Sequence, residues 1–108
     1  MTQADRVLTF KARVRQWETA LDVKIVRLAV RPMRAKWASC STKGHLNFST
    51  DLLHLNSKLQ DYVIVHELLH LRTPNHGKLW KVFMRAHLGE YEVYEAELKH
   101  VMHSQSNP

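Results

Sequence analysis

Tyr62-Val63-Ile64-Val65-His66-Glu67-Leu68-Leu69-His70-Leu71 is apolar on nearly every face of a helix, yet it carries three ionisable side chains. A helix that is hydrophobic all round is a buried one, so this segment is expected at the centre of the fold. Ionisable groups in such a helix carry a large desolvation cost unless a metal or hydrogen-bonding partners compensate. His66 and His70 stand one turn apart on the same face, so both imidazoles can reach one ion. Glu67 lies about 100° around the helix from His66, close enough to handle a bound water without being a ligand. Pro74 is expected to stop the helix and turn the chain, which would bring His76 back as a third ligand. Three protein ligands with a fourth position open is the arrangement of a catalytic zinc, whereas structural sites are closed by four. The plain alternative is a pair of satisfied core histidines, since the chain holds 8 His in 108 residues. His76 at the right spacing tips the balance toward Zn2+ and an enzyme.

Outward from this segment, Asn56 or Ser57 can cap the helix, which is expected to run to about Arg72. Upstream, Val7, Phe10, Val14, Trp17 and Leu21 recur at spacings of three and four, predicting a helix over roughly residues 4–21. Val26, Leu28 and Val30 then alternate with Arg27, Ala29 and Arg31, a half-buried strand closed by Pro32. A second strand is expected over 35–41, with Thr42-Lys43-Gly44 as a hairpin turn into a third, His45 to Ser49. Asp51 to Leu55 reads as an apolar connection. Downstream, a helix from His76 to Leu88 is expected to bury Leu79, Trp80 and Phe83, with Gly89 ending it. A last helix from about Glu90 presents Tyr91, Tyr94, Leu98 and Val101 at helical spacing. The order is helix, short antiparallel sheet of about three strands, then helices, an α+β fold in a single domain over 1–103. Residues 104–108 are expected to be a disordered tail.

A hydrophobic fraction of 44% and a charged fraction of 24% are those of an ordinary soluble globular protein. No apolar run approaches the ~20 residues needed to span a membrane, and the first six residues lack a signal-peptide core. The single cysteine, Cys40, leaves no intramolecular disulfide and fits a reducing compartment, so a cytoplasmic location is expected. The net charge of +6 is uneven: residues 1–45 hold ten Lys/Arg against three acids, residues 46–108 six against seven. The basic half could attract nucleic acid, a nucleotide or an acidic protein. Lys11, Arg13 and Arg15, however, read more simply as the solvated face of the first helix.

Several segments together resemble one family. Lys36-Trp37-Ala38-Ser39-Cys40-Ser41, Lys43-Gly44-His45-Leu46-Asn47, Tyr62 to Leu68, and Asn75-His76 followed by Trp80 occur in the order seen in the YgjP-like metallopeptidase-domain family. That family is similar to SprT-like and WLM-type proteases and to the minigluzincins, and the resemblance covers roughly residues 24–100. It implies a minimal zincin-like fold with an antiparallel sheet beside the HExxH helix. It makes His66, His70 and His76 the zinc ligands and Glu67 the general base. Two departures stand out: Ala38 where the family usually has Gly, and Lys36 where it commonly has Arg, whose bidentate contact a lysine cannot reproduce. Gluzincins proper take a downstream Glu as third ligand, for which Glu90, Glu92 and Glu95 are the candidates. The spacing of His76 matches the nearer relatives.

The expected activity is hydrolysis of a peptide or protein by a metal-activated water with Glu67 as general base. An extended substrate is expected to add to an edge at the Leu46–Ser49 strand. Cys40 is a conceivable fourth ligand holding a latent state, although a lone cysteine is more often a small buried hydrophobe. His45, His54 and His87 read as surface or hydrogen-bonded histidines, and His100 and His103 as a solvated helix face. Trp37 and Trp80 read as core anchors that can also line a cleft. Two other readings stay open. A zinc-dependent nucleotide phosphohydrolase would use the same water on phosphorus, and some YgjP-like proteins are described in that way. A non-catalytic DNA- or protein-binding metal module would have no use for Glu67. The oligomeric state is not legible.

Overall fold

The computed structural model describes residues 1–73 and 75–106, with the side chains of 102–106 left out. Pro74, where the chain was expected to turn, and the last two residues of the expected tail lie outside the described residues. The chain opens with α1 (Gln3–Leu21), started by a capping box in which Thr2 Oγ1 accepts the Asp5 N–H and Asp5 accepts the Thr2 N–H. Its inner stripe buries Phe10, Val14 and Leu21. Asp22, in the left-handed region at φ 53°, ends it.

Three strands follow: β1 (Arg27–Arg31), β2 (Ala38–Cys40) and β3 (His45–Ser49). The sheet is mixed rather than antiparallel, in the order β1-β3-β2, with β1 parallel and β2 antiparallel to β3. Two local features set this order. The Thr42–Gly44 turn folds β3 back on β2, with the Ser41 N–H bonded to the His45 carbonyl at 3.0 Å. The Gly44 carbonyl then accepts the N–H groups of both Val26 and Arg27, so β1 starts where β3 starts and runs beside it in the same direction. Gly44 is at φ 85°, and a Cβ there would stand 3.0 Å from Val26 Cγ2. β3 is consequently the central strand and has no free edge. The docking edge expected at Leu46–Ser49 is therefore not available, and the free edges belong to β1 and β2. Val26, expected to point inward, precedes the strand and is 65% exposed.

The inner face of the sheet, with Leu46 and Phe48 at its centre, packs on the helices; Phe10 meets Phe48 edge-on at 5.2 Å. A 3₁₀ turn, Thr50–His54, leads to α2 (Ser57–Leu68), where Asn56 Oδ1 caps the Leu59 N–H at 2.9 Å. α2 is the central helix, as its composition requires: Leu59, Tyr62, Val63, Ile64, Val65 and Leu68 are all buried. Asp61 ties it to α1, accepting from Arg13 Nη1 and Trp17 Nε1, both at 2.9 Å. The helix does not continue as α-helix to Arg72. Its last turn, Leu69–Leu71, tightens to 3₁₀, with the N–H groups of Arg72 and Thr73 both bonded to the Leu69 carbonyl.

α3 (Lys78–Leu88) and α4 (Tyr91–Ser106) complete the chain. α3 buries Trp80 and Met84, and Phe83 packs against the core, whereas Leu79 faces outward at 57% exposure rather than into the core as expected. Gly89, at φ 64°, separates the two helices. α4 buries Tyr91 and Leu98, with Tyr94 packed against the core. It runs past residue 104, where the tail was expected to begin. No described helix is long and apolar enough to cross a membrane.

Candidate metal centre

The last turn of α2 presents His66 and Glu67, and the 3₁₀ turn after it presents His70, whose ring centroid is 5.2 Å from that of His66. His76 arrives from the segment before α3. There Asn75 Oδ1 accepts the Gly77 N–H at 3.1 Å, and a Cβ at Gly77 would meet that oxygen at 2.7 Å. The turn sets His76 beside the other two rings, 4.8 Å from each. Trp80 forms the wall behind them. Its buried ring lies against His76 at 4.5 Å, meets His66 edge-on at 5.2 Å and is itself backed by Tyr91 at 5.9 Å. Its indole Nε1 is buried without a hydrogen-bond partner among the described residues, so packing alone fixes the ring.

One ligand atom from each of His66, His70 and His76 lies within 4.8 Å of the others. The Nε2 atoms of His70 and His76 are 3.1 Å apart. Two nitrogens on one tetrahedral zinc, each about 2.0–2.1 Å from it, would be roughly 3.3 Å apart, so the donor set fits a single ion. His66 Nδ1 stands 2.8 Å from Glu67 Oε2. An ionised carboxylate can only accept, which puts the proton on Nδ1 and leaves Nε2 with the lone pair that a metal needs. The pKa of His76 is lowered, first by loss of water from the face resting on Trp80 and then by His66 and His70. That shift favours the neutral, metal-binding form.

The other expected residues fall into place around this group. Cys40 lines a small cavity of about 200 Å³ with Ser41, Thr42, Glu67 and His70, and is not one of the three clustered donors. Burial and the charge of Glu67 push its thiol up to about 11. Glu92, ion-paired with Arg85, and Glu95, paired with Lys99 at 3.4 Å, are not among the three clustered donors, and exposed Glu90 immediately precedes α4. His54 meets Arg6 at 3.1 Å and His87 lies edge-on to Trp17, both remote from the triad. His100 is exposed on α4, and the side chain of His103 lies outside those described.

Two cavities flank His66. One of about 330 Å³ is lined by Lys36, Trp37, Ala38, Tyr62, Glu67 and Glu95 among others, so Trp37 does line a cleft. The larger, about 890 Å³, opens between α3 and α4 and includes His76, Lys78, Trp80, Lys81 and Arg85. Both cavities share Tyr62, which sequence reading named only within the buried-helix and family segments, and Glu95, which it named only as an alternative third ligand. Burial, then the neighbouring Glu95 carboxylate, raises the pKa of Tyr62, whose hydroxyl is hydrogen-bonded to Glu95. Only the i−4 spacing of Tyr62 from His66 hinted at its place; nothing local placed Glu95.

The metallopeptidase zymogen jannalysin of Methanocaldococcus jannaschii has a similar structure, with a TM-score of 0.74 at 28% identity, covering 85% of this chain and 93% of that one. The metallopeptidase zymogen abylysin of Pyrococcus abyssi shares the fold at a TM-score of 0.73 and 18% identity, covering 82% and 90% respectively. No curated protein matches. The family model described as YgjP-like, metallopeptidase domain, matches residues 2–101, a span that holds the triad, Glu67 and both cavity walls. The chain belongs to the YgjP-like metallopeptidase-domain family.

Proposed function

We propose that the protein is a zinc-dependent metalloendopeptidase in which His66, His70 and His76 hold the ion and Glu67 is the general base. The observation that carries this reading is the 3.1 Å approach of the His70 and His76 Nε2 atoms, with the Glu67 carboxylate one residue from His66. Zinc bound by three neutral imidazoles keeps its full charge, and so supplies Lewis acidity and an acidified water. Glu67 takes the proton of the attacking water and returns it to the departing amine. Trp80 holds the rings of His66 and His76 in register, and Glu67 fixes the tautomer of His66.

The substrate is a peptide or protein. β2 is the edge that suits it, because residues of β2 line both cavities that flank Glu67. Trp37 and Ser41 direct their backbone groups to Ser49 and His45 of β3. By alternation, Ala38 and Cys40 turn theirs outward, where an extended chain can add by main-chain hydrogen bonds. A cytoplasmic location agrees with the single cysteine.

The test is to load the protein with zinc, measure bound metal, and compare wild type with Glu67→Gln and His76→Ala on an unfolded protein and on nucleoside triphosphates. Wild type should cut the protein. Glu67→Gln should retain zinc and lose about 10²–10⁴-fold in rate, and His76→Ala should lose the metal. Full activity in Glu67→Gln would remove the base assignment, and unchanged zinc in His76→Ala would remove that ligand. Triphosphate hydrolysis without proteolysis would replace the reading with a phosphohydrolase.

A further inference from the structure

Lys78, Lys81 and Arg85 recur at i, i+3 and i+7 along one face of α3, and all three line the larger cleft beside His66 and His76. The facing wall, from α4, supplies two carboxylates, Glu92 and Glu95. Both are already engaged: Glu92 pairs with Arg85, and Glu95 pairs with Lys99 and accepts from Tyr62. Among the described residues, Lys78 and Lys81 form no ion pair. They are also the two cations of the row nearest in sequence to His76, about 4.5 Å apart along the helix axis. The cleft next to the triad therefore carries uncompensated positive charge at one end, and charge in a cleft with low-dielectric walls is focused onto what enters it.

For a substrate that adds antiparallel to β2, the sheet sets which part of it meets this charge. A chain running antiparallel to β2 passes Cys40 first and then Ala38, since β2 itself runs from Ala38 to Cys40. Its C-terminal half leaves the triad at the Ala35–Ala38 end. The cavity at that end shares Tyr62, His66 and Glu95 with the larger cleft, so the two adjoin at His66.

We propose that Lys78 and Lys81 form a subsite for a carboxylate in the substrate segment C-terminal to the scissile bond, making the protein selective for acidic peptides. The proposal rests on the peptidase reading above. A carboxylate can come from an Asp or Glu side chain or from the peptide's own C-terminus, and the subsite lies within about three residues of the cleaved bond, the reach of the Lys78–Arg85 row.

The test uses the full chain loaded with zinc and matched peptides that carry Glu or Gln at each of the three positions after the scissile bond, each with a free or an amidated C-terminus. Binding to Glu67→Gln is measured by fluorescence anisotropy, and kcat/KM on wild type. Glu peptides, or free-acid peptides if the terminal carboxylate is the ligand, should be favoured by about 5–10-fold, the sum of two exposed ion pairs. The preference should shrink as salt rises from about 0.05 to about 0.5 M. The double substitution Lys78→Glu/Lys81→Glu, at two exposed positions, should reverse it. Equal binding of acidic and neutral peptides, or a preference untouched by that double substitution, overturns the subsite. Cleavage without acidic preference sinks the subsite and leaves the peptidase reading standing. Failure of zinc-loaded wild type to cleave any peptide sinks the peptidase reading, while acid-selective binding to Glu67→Gln would still report the subsite.

Discussion

In the proposed peptidase, Glu67 has two tasks on one carboxylate. At 2.8 Å from His66 Nδ1 it fixes the ring's tautomer, and its partly buried position, next to the cavity shared with Cys40, lets it meet a water at the triad. The residue that supports it without touching a reacting atom is Trp80. Because packing alone holds the indole, Trp80→Leu should loosen both His66 and His76 and cut zinc affinity by about tenfold, measured by competition with a chromogenic chelator. Affinity equal to wild type would mean that the rings are held from elsewhere. The triad itself was readable in the sequence because it is nearly local: His66, Glu67 and His70 share one turn, and His76 is six residues on. Glu95 was named only as one of three alternative glutamates, and its bond to Tyr62 was not readable because it reaches that residue from a different helix.

At the scale of elements, the site depends on how α2 is held. One carboxylate, Asp61, receives both Arg13 and Trp17 from α1, so its loss strands two donors at once. Asp61→Ala should lower stability by about 1–3 kcal/mol in urea unfolding, with the metal triad intact in what remains folded. Gly44 is the comparable joint of the sheet. Gly44→Val forces a side chain onto Val26 at a positive φ, and should cost about 1–3 kcal/mol. The existence and type of the helices and strands followed from periodicity, but sheet order did not. The same β1 pattern fits a partner on either side, and what decided it was the Gly44 carbonyl binding Val26 and Arg27, a contact made across eighteen positions of chain. Leu79 fails for a related reason: the inward face of α3 is fixed by Trp80 and Met84, which leaves Leu79 outside.

Across the whole molecule, the proposed site links metal to fold. An ion that binds only the assembled triad stabilises the folded state by about 2.7 kcal/mol when its free concentration is a hundred times Kd. Chelation should therefore lower Tm by on the order of 10 °C for a domain of this size. A Tm unmoved by chelation and by zinc would count against the site. Charge behaves differently at this scale. The composition pointed to the basic N-terminal half, which brings Lys36 to the smaller cavity, whereas Lys78 and Lys81 of the larger cleft come from the half with more acids than bases.

The sheet order also bears on how the chain reaches its native state. β2 and β3 are joined by a three-residue turn and can pair within microseconds, but β1 pairs only with β3 and must wait for a strand that is made after it. Its docking closes a loop that contains β2 and the turn after it, an entropic cost met before any reward. β1 is therefore expected to be unformed at the folding barrier. Truncating Val30 should speed unfolding and leave the refolding rate nearly unchanged, while truncating Phe48 should slow refolding. A chain released stepwise from its N-terminus would thus expose Leu28 and Val30 until Ser49 has emerged, so the first strand to appear is the last to find its place.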